Sequence, residues 1–127
     1  YQRLRDSVNW LSLSERIAKN AVNNCYYSVC AYDDDKVVGM MRLVWTGDEC
    51  AQIQDVIVNE EYRFLGIGKT MIWKALDYMK SNLEHGEEVK VLVISAPGRE
   101  SFYEQFGFSR RPRKDSSWML DMWIKKE

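Results

Sequence analysis

The chain has 127 residues, with 18 Lys+Arg against 19 Asp+Glu, 46% hydrophobic residues and 13% aromatic residues. That length and mixture supply enough apolar surface for a packed core and exclude disorder or collagen-like repetition. A formal net charge of −1 removes any global electrostatic drive towards DNA, RNA or an anionic bilayer, so neither nucleic acid nor membrane is expected as a partner.

The first residues, Tyr1 to Asp6, have a helical pattern and no signal-peptide apolar core. No apolar run approaches the roughly 20 residues needed to span a bilayer, so a cytoplasmic location is expected. Ser12-Leu13-Ser14-Glu15 offers a hydroxyl N-cap with acidic support, followed by Ile17, Ala18, Ala21 and Val22 at helical spacing up to Asn23-Asn24. Residues 26–32 and 36–45 predict a hairpin about Asp33-Asp34-Asp35, and residues 51–58 a third strand rich in branched side chains. A polar connection over 59–65 leads to Gly66-Ile67-Gly68. Met71, Ile72, Ala75, Leu76 and Met79 then mark one face of a helix. Residues 89–94 read as a buried strand returning parallel to 51–58, which completes a βαβ unit. A short helix is expected over 99–105, and a last pair of strands over 106–110 and 118–124. The whole reads as one domain over 1–127, allowing that its first strand is missing from the sequence as given.

Cys25, Cys30 and Cys50 are odd in number, lack C-x-x-C spacing and have apolar neighbours, so buried free thiols without a disulfide are expected. His85 is the sole histidine, so a site needing several imidazoles cannot form within one chain and no metal is expected.

Gly66-Ile67-Gly68-Lys69-Thr70 lies between a predicted strand and helix, where unpaired amides and the helix dipole favour a phosphate. A Walker A loop needs glycine at 63, where Arg63 stands, and a dinucleotide fingerprint needs glycine at 71, where Met71 stands. What remains is R-x-x-G-x-G, formed by Arg63-Phe64-Leu65-Gly66-Ile67-Gly68 after the strand Asp55-Val56-Ile57-Val58. A second segment, Phe102-Tyr103-Glu104-Gln105-Phe106-Gly107-Phe108, follows further along the chain.

These two segments resemble the acetyl-coenzyme A loop and the F-Y-x-x-x-G-F segment of the GNAT superfamily of N-acyltransferases. Leu4-Arg5-x-x-Val8-x-Trp10 and Arg111-Pro112 are similar to a bacterial branch of small GNAT proteins. The resemblance implies an α/β (α+β) fold: a mixed, mostly antiparallel sheet with a central parallel βαβ pair and flanking helices. It implies acetyl-CoA as donor. Successive amides of the loop Arg63-Phe64-Leu65-Gly66-Ile67-Gly68 would hold the pyrophosphate, with Arg63 as a phosphate contact and Lys69 and Thr70 as sources of charge and a hydroxyl beside it. The backbone of Val56, Ile57 and Val58 would run along the pantetheine arm and polarise the thioester carbonyl. It also implies that Tyr103 donates a proton to the leaving sulfur. Where many relatives keep an asparagine, Ala96 stands here.

An attacking ammonium of pKa about 10.4 must lose a proton and a thiol of pKa about 8.5 must leave, so a base and an acid both help. For Tyr103 the alternative to the acid role is packing with Phe102, Phe106 and Phe108. Two positions that often hold the base carry Gln52 and Gln54. Asp55 is the one ionisable side chain on that strand, as base or as a structural carboxylate, with a water chain as the other route.

The expected reaction is acetyl transfer from acetyl-CoA to the primary amine of a small molecule by direct attack in a ternary complex, since no cysteine lies near the motifs to form an intermediate. A protein or peptide N-acetyltransferase and a non-catalytic acyl-CoA-binding domain are the alternatives. Tyr27 and Trp45 are candidates for an acceptor pocket. Trp118, Met119, Met122 and Trp123 are candidates for a core or homodimer interface, and the basic turn at Arg110 to Lys114 reads as solvated.

Overall fold

Ser14 starts the longer of two N-terminal helices as the sequence predicts: the Ile17 amide donates to its hydroxyl at 3.3 Å. This helix, α2, spans Glu15–Asn23 and follows a short α1 at Gln2–Ser7. The computed structural model describes residues 1–8, 10, 12–111, 114 and 119–126. Two compact units make up the chain, Tyr1–Ile94 and Ser95–Glu127.

The first unit holds one sheet of four strands: β1 (Tyr27–Asp33), β2 (Lys36–Trp45), β3 (Cys50–Val58) and β4 (Lys90–Val93), in that spatial order. β1, β2 and β3 are antiparallel neighbours, and β4 runs parallel to β3. Asp34, at φ 51°, turns the β1–β2 hairpin in the left-handed region that aspartate tolerates better than most residues. Between β3 and β4 the chain makes a 3-10 turn, Glu60–Tyr62, and the 15-residue helix α3, Ile67–Ser81. The mixed sheet with its parallel βαβ pair and flanking helices is therefore the expected fold.

Strand alternation sorts the core into two faces. Met40 and Ile57, partners across β2 and β3, form a buried cluster with Leu4 of α1, covered by Tyr1, Val8 and Trp10. Gly39, the next residue along β2, faces the other way: a Cβ there would lie 3.4 Å from the Ile67 side chain at the start of α3. Met71, Ile72, Ala75 and Met79 are the buried face of α3, as their spacing predicts.

Aromatic rings hold the other end of α3. Tyr27 of β1 stacks on Tyr78 at 3.9 Å between centroids, and Tyr26 bridges Tyr78 and Trp45. Trp45 is 5% exposed and its indole N–H donates to the Asp48 carbonyl at 2.8 Å. Trp45 is thus buried against Tyr26 rather than free to line an acceptor pocket, and one face of the half-buried Tyr27 ring is taken by Tyr78 of α3.

Two further expectations are corrected. Cys30 and Cys50 are exposed and Cys25 is half-buried, because the alternation of β1 turns Cys30 outward and Cys50 opens β3 at its end. The last pair of strands does not form over 106–110 or 119–124. Gly107, at φ 102°, turns the first segment, and Arg110 folds back to pair with Glu104 through Nε and Nη. Without a ladder partner an apolar segment has no backbone reason to extend. Met122 and Trp123 accordingly stand 79% and 88% exposed rather than in a core, and Trp118 lies outside the described residues.

Ile72 is fully buried where α3 meets the sheet. Ile72→Ala is expected to lower unfolding free energy by about 2–5 kcal/mol. Urea denaturation checks this as a lower midpoint with an unchanged slope.

Candidate active site

The ladder between β3 and β4 runs only from Cys50↔Lys90 to Ile53↔Val93. Beyond Ile53, β3 continues to Val58 while paired to β2 alone, with Met40↔Ile57 and Gly39↔Val58. Among the described residues nothing pairs with the other edge of this stretch. A single unpaired edge of main-chain donors and acceptors has the chemistry to pair with an extended, amide-bearing ligand.

The strand bends where it loses β4. Between the pairs Arg42↔Gln54 and Met40↔Ile57, β3 carries one residue more than β2, so Asp55 and Val56 together oppose Met41. Asp55 takes φ 54° in this bulge. Its side chain is 8% exposed, and both oxygens are engaged. Oδ1 accepts from Arg5 Nη1 at 2.9 Å, and Oδ2 accepts from Arg42 Nε and from the Tyr1 hydroxyl, each at 2.6 Å. Arg42 also donates to Gln54 Oε1 at 2.9 Å and to the Ala21 carbonyl of α2 at 3.0 Å. Burial, then the hydrogen bond to Asp55, raises the pKa of Tyr1, which keeps it a donor. Of the two roles considered for Asp55, these contacts fit the structural carboxylate. All three of these partners are side chains.

From Val58 the chain passes through the 3-10 turn, where the Tyr62 hydroxyl donates to the Asp33 carboxylate of the β1–β2 hairpin. Arg63 turns back, its Nε donating to the Val58 carbonyl at 3.4 Å. Phe64 (φ 64°) and Gly66 (φ 84°) both take left-handed backbone before α3 begins. Gly66 is the N-cap and offers no side chain, so among the described residues no side chain caps the first amides of α3, at Ile67, Gly68 and Lys69. Space beside the Gly66 Cα is open. Thr70 differs from expectation: its hydroxyl and its amide both donate to the Gly66 carbonyl, at 2.9 and 3.0 Å, and neither is left for a phosphate. Lys69 is exposed at the helix start. The arrangement therefore offers a run of uncapped amides at a helix N-terminus, the chemistry of a pyrophosphate seat.

The second unit carries α4, Glu100–Glu104, whose Tyr103 is 9% exposed. Its ring lies edge-on to Phe102 and Phe108, at 5.1 and 6.0 Å between centroids. Burial raises its pKa, partly opposed by Arg99. Among the described residues no group of three His, Cys, Asp or Glu is placed to hold a metal, and no helix is long and apolar enough to cross a membrane.

The sequence profile of the Acetyltransferase (GNAT) family matches residues 2–108. The chain belongs to the GNAT acetyltransferase family. GNAT relatives include an uncharacterised, ycf52-like N-acetyltransferase of Prochlorococcus marinus, 29% identical over 118 residues, covering 88% of this chain and 62% of the relative. The ycf52 N-acetyltransferase of Pyropia yezoensis is 26% identical, covering 87% and 64%. The chain thus spans less than two thirds of the length of these relatives. Among solved structures, a probable acetyltransferase of Staphylococcus aureus superposes with a TM-score of 0.84 at 26% identity, covering 97% of this chain and 90% of that one. A GNAT protein of Streptococcus pneumoniae gives 0.77 at 28% identity, covering 99% and 89%.

Sequence reasoning missed Tyr1, Arg5 and Arg42. The signal for Arg42 was present: one guanidinium inside Val37-Val38-Gly39-Met40-Met41-Arg42-Leu43-Val44-Trp45 needs a buried anion, and Asp55 is the one carboxylate in the next strand.

Phe64 is 98% exposed yet holds a left-handed backbone that bulky residues avoid, so it bears strain without burial to offset it. Phe64→Gly is expected to stabilise the chain by up to about 1 kcal/mol. A raised thermal midpoint checks it.

Proposed function

We propose that this GNAT chain transfers an acetyl group from acetyl-CoA to the primary amine of a small molecule, by direct attack in a ternary complex. The observation that carries the reading is the continuity of two features: the unpaired edge of β3 past Ile53 and the uncapped, glycine-led start of α3. An extended amide arm ending in a diphosphate matches that sequence of donors.

Acetyl-CoA, when bound, supplies an activated acetyl thioester. The backbone of Val56, Ile57 and Val58 would hold its pantetheine arm and direct a donor at the thioester oxygen, where negative charge develops during attack. The amides of Gly66, Ile67, Gly68 and Lys69 would hold the pyrophosphate. Arg63 would add charge, and Phe64 and Leu65 would shape the loop. Thr70 serves here as the residue that closes the first helical turn.

Tyr103 is the proposed acid. Burial keeps its hydroxyl protonated above the ordinary tyrosine range, so it retains a proton for the leaving sulfur at neutral pH. Asp55 is a poor candidate for the base, because taking a substrate proton would displace one of its charged partners. Gln52 and Gln54 cannot act as bases, so we assign proton removal from the amine to water. The small acceptor is favoured over an extended peptide because α1 packs on β3, with Leu4 buried against Met40 and Ile57, and so covers that part of the sheet face.

One other reading has a specific observation in its favour. With Asp55 paired and glutamines at two usual base positions, the same site would suit an acyl-CoA-binding domain that does not turn over. Thiol release with a panel of small amines separates the two, and intact-mass analysis of peptides incubated with acetyl-CoA tests the protein acceptor.

Gly68→Glu places a carboxylate at the helix start. Calorimetric titration with acetyl-CoA is expected to show affinity at least about tenfold weaker than wild type, and equal affinity would move the diphosphate elsewhere. Tyr103→Phe is expected to lower kcat about 100-fold. Since the raised pKa keeps Tyr103 protonated, wild-type kcat should show no Tyr103-dependent decline across roughly pH 6–9. A pH–rate profile checks this: an alkaline limb below the ordinary value of about 10 that vanishes in Tyr103→Phe would contradict it.

A further inference from the structure

The bulge in β3 is the least self-sufficient backbone in the first unit. It begins two residues after Ile53, the last residue of β3 paired to β4, and it places a non-glycine residue at φ 54°. Its own ladder to β2 skips a step there. What holds it is side-chain chemistry. Asp55 is gripped on Oδ1 by Arg5 and on Oδ2 by Arg42 and Tyr1, while Arg42 simultaneously holds Gln54, the residue before it. Arg42 is in turn fixed to the C-terminal part of α2 through the Ala21 carbonyl.

We propose that Arg42 and Arg5, acting through Asp55, are positioning residues for the acetyl donor: their clamp sets the direction in which Val56, Ile57 and Val58 leave the bulge. This rests on the reading that those three residues line the donor arm, and adds to it residues remote from the motifs. The clamp contacts no donor atom. It fixes the residue immediately before Val56, and a backbone rotated at Asp55 would misdirect every donor that follows.

The role belongs to the fork geometry of arginine rather than to charge alone. One planar guanidinium reaches Asp55 through Nε, Ala21 through one Nη and Gln54 through the other. A lysine retains the positive charge and cannot make the three contacts in that plane. The glycine loop, by contrast, depends on α3 and its cap, which Arg42 does not touch. The two halves of the donor should therefore respond differently to the same substitution.

The test compares wild type with Arg42→Lys by calorimetry against two ligands, acetyl-CoA and adenosine 3′-phosphate 5′-diphosphate, the nucleotide half of the donor. The clamp predicts that acetyl-CoA binds about tenfold more weakly to the variant while the nucleotide half binds within about twofold of wild type. Amide hydrogen exchange is expected to quicken at 56–58 and to stay unchanged in α3. Equal affinity of both proteins for acetyl-CoA, or an equal loss for both ligands, overturns the proposal, the second because it marks a general loosening. If Arg42→Lys does not fold, Gln54→Met, which removes one arm of the clamp, is judged by the same split between ligands. Should wild type bind neither ligand, the donor-site reading fails, and exchange at 56–58 decides separately whether the clamp holds the strand.

Discussion

A carboxylate at a left-handed bulge, held by two guanidinium groups, is the constraint on which the first unit of this protein depends. Asp55 sits where β3 must leave β4 yet stay on β2, and no regular ladder can fix the backbone at such a point. Burying these charges is costly. Their attraction offsets desolvation only with good geometry and satisfied hydrogen bonds, and an apolar replacement of similar volume is often as stable. The return on that cost is definition of shape: α1, α2, β2 and β3 all contribute a group to one carboxylate and its partners. Aromatic faces add further contacts to its two guanidinium groups. Arg5 lies 5.3 Å from the Trp10 ring and 5.9 Å from the Tyr1 ring, and Arg42 lies 5.9 Å from the Tyr1 ring.

The chemistry downstream of the bulge is almost entirely main chain. Val56 to Val58 offer backbone along an open edge, and the start of α3 offers amides that no side chain caps. Such donors are fixed by the fold and need no rotamer ordering when a ligand arrives, so they are preorganised in a way lysines on a surface are not. The side chains nearest them serve other ends. Arg63 folds back on β3, the Thr70 hydroxyl closes the first turn of α3, and Phe64 points into solvent.

For main-chain donors to stay in place, α3 must not rotate on the sheet. Its buried face of Met71, Ile72, Ala75 and Met79 fixes its roll, and the stack of Tyr78 on Tyr27 holds its far end. Near the loop, Tyr62 ties the 3-10 turn to the hairpin through Asp33, with Lys36 over the same ring at 5.9 Å. Helix, hairpin and bulge are thus fastened separately, and the glycine loop spans the gap between two of these fastenings.

Local pattern carried the elements of the first unit well. The Ser14 cap, the Asp34 turn, the α3 face and the parallel return of β4 are each decided by neighbours in sequence or by a repeat of 2 or 3.6 residues, and the glycine loop is legible because its backbone needs are local. Where partners lie far apart, the same reasoning failed. Tyr27 and Trp45 read as pocket residues because nothing nearby in sequence says that Tyr78 covers one and Tyr26 the other. The segments at 106–110 and 119–124 read as strands because apolar alternation marks strand capacity, while a strand exists only when a second backbone accepts its hydrogen bonds. Asp55 could be read as base or as structural until Arg5, 50 residues away along the chain, and Arg42, 13 residues away on the neighbouring strand, came to share it. Residue type and spacing determined that this chain makes a βαβ unit with a glycine-led helix start at its turn. Tertiary structure alone decided which charges meet, because an ion pair is set by distance in space, and separation along the chain does not encode it.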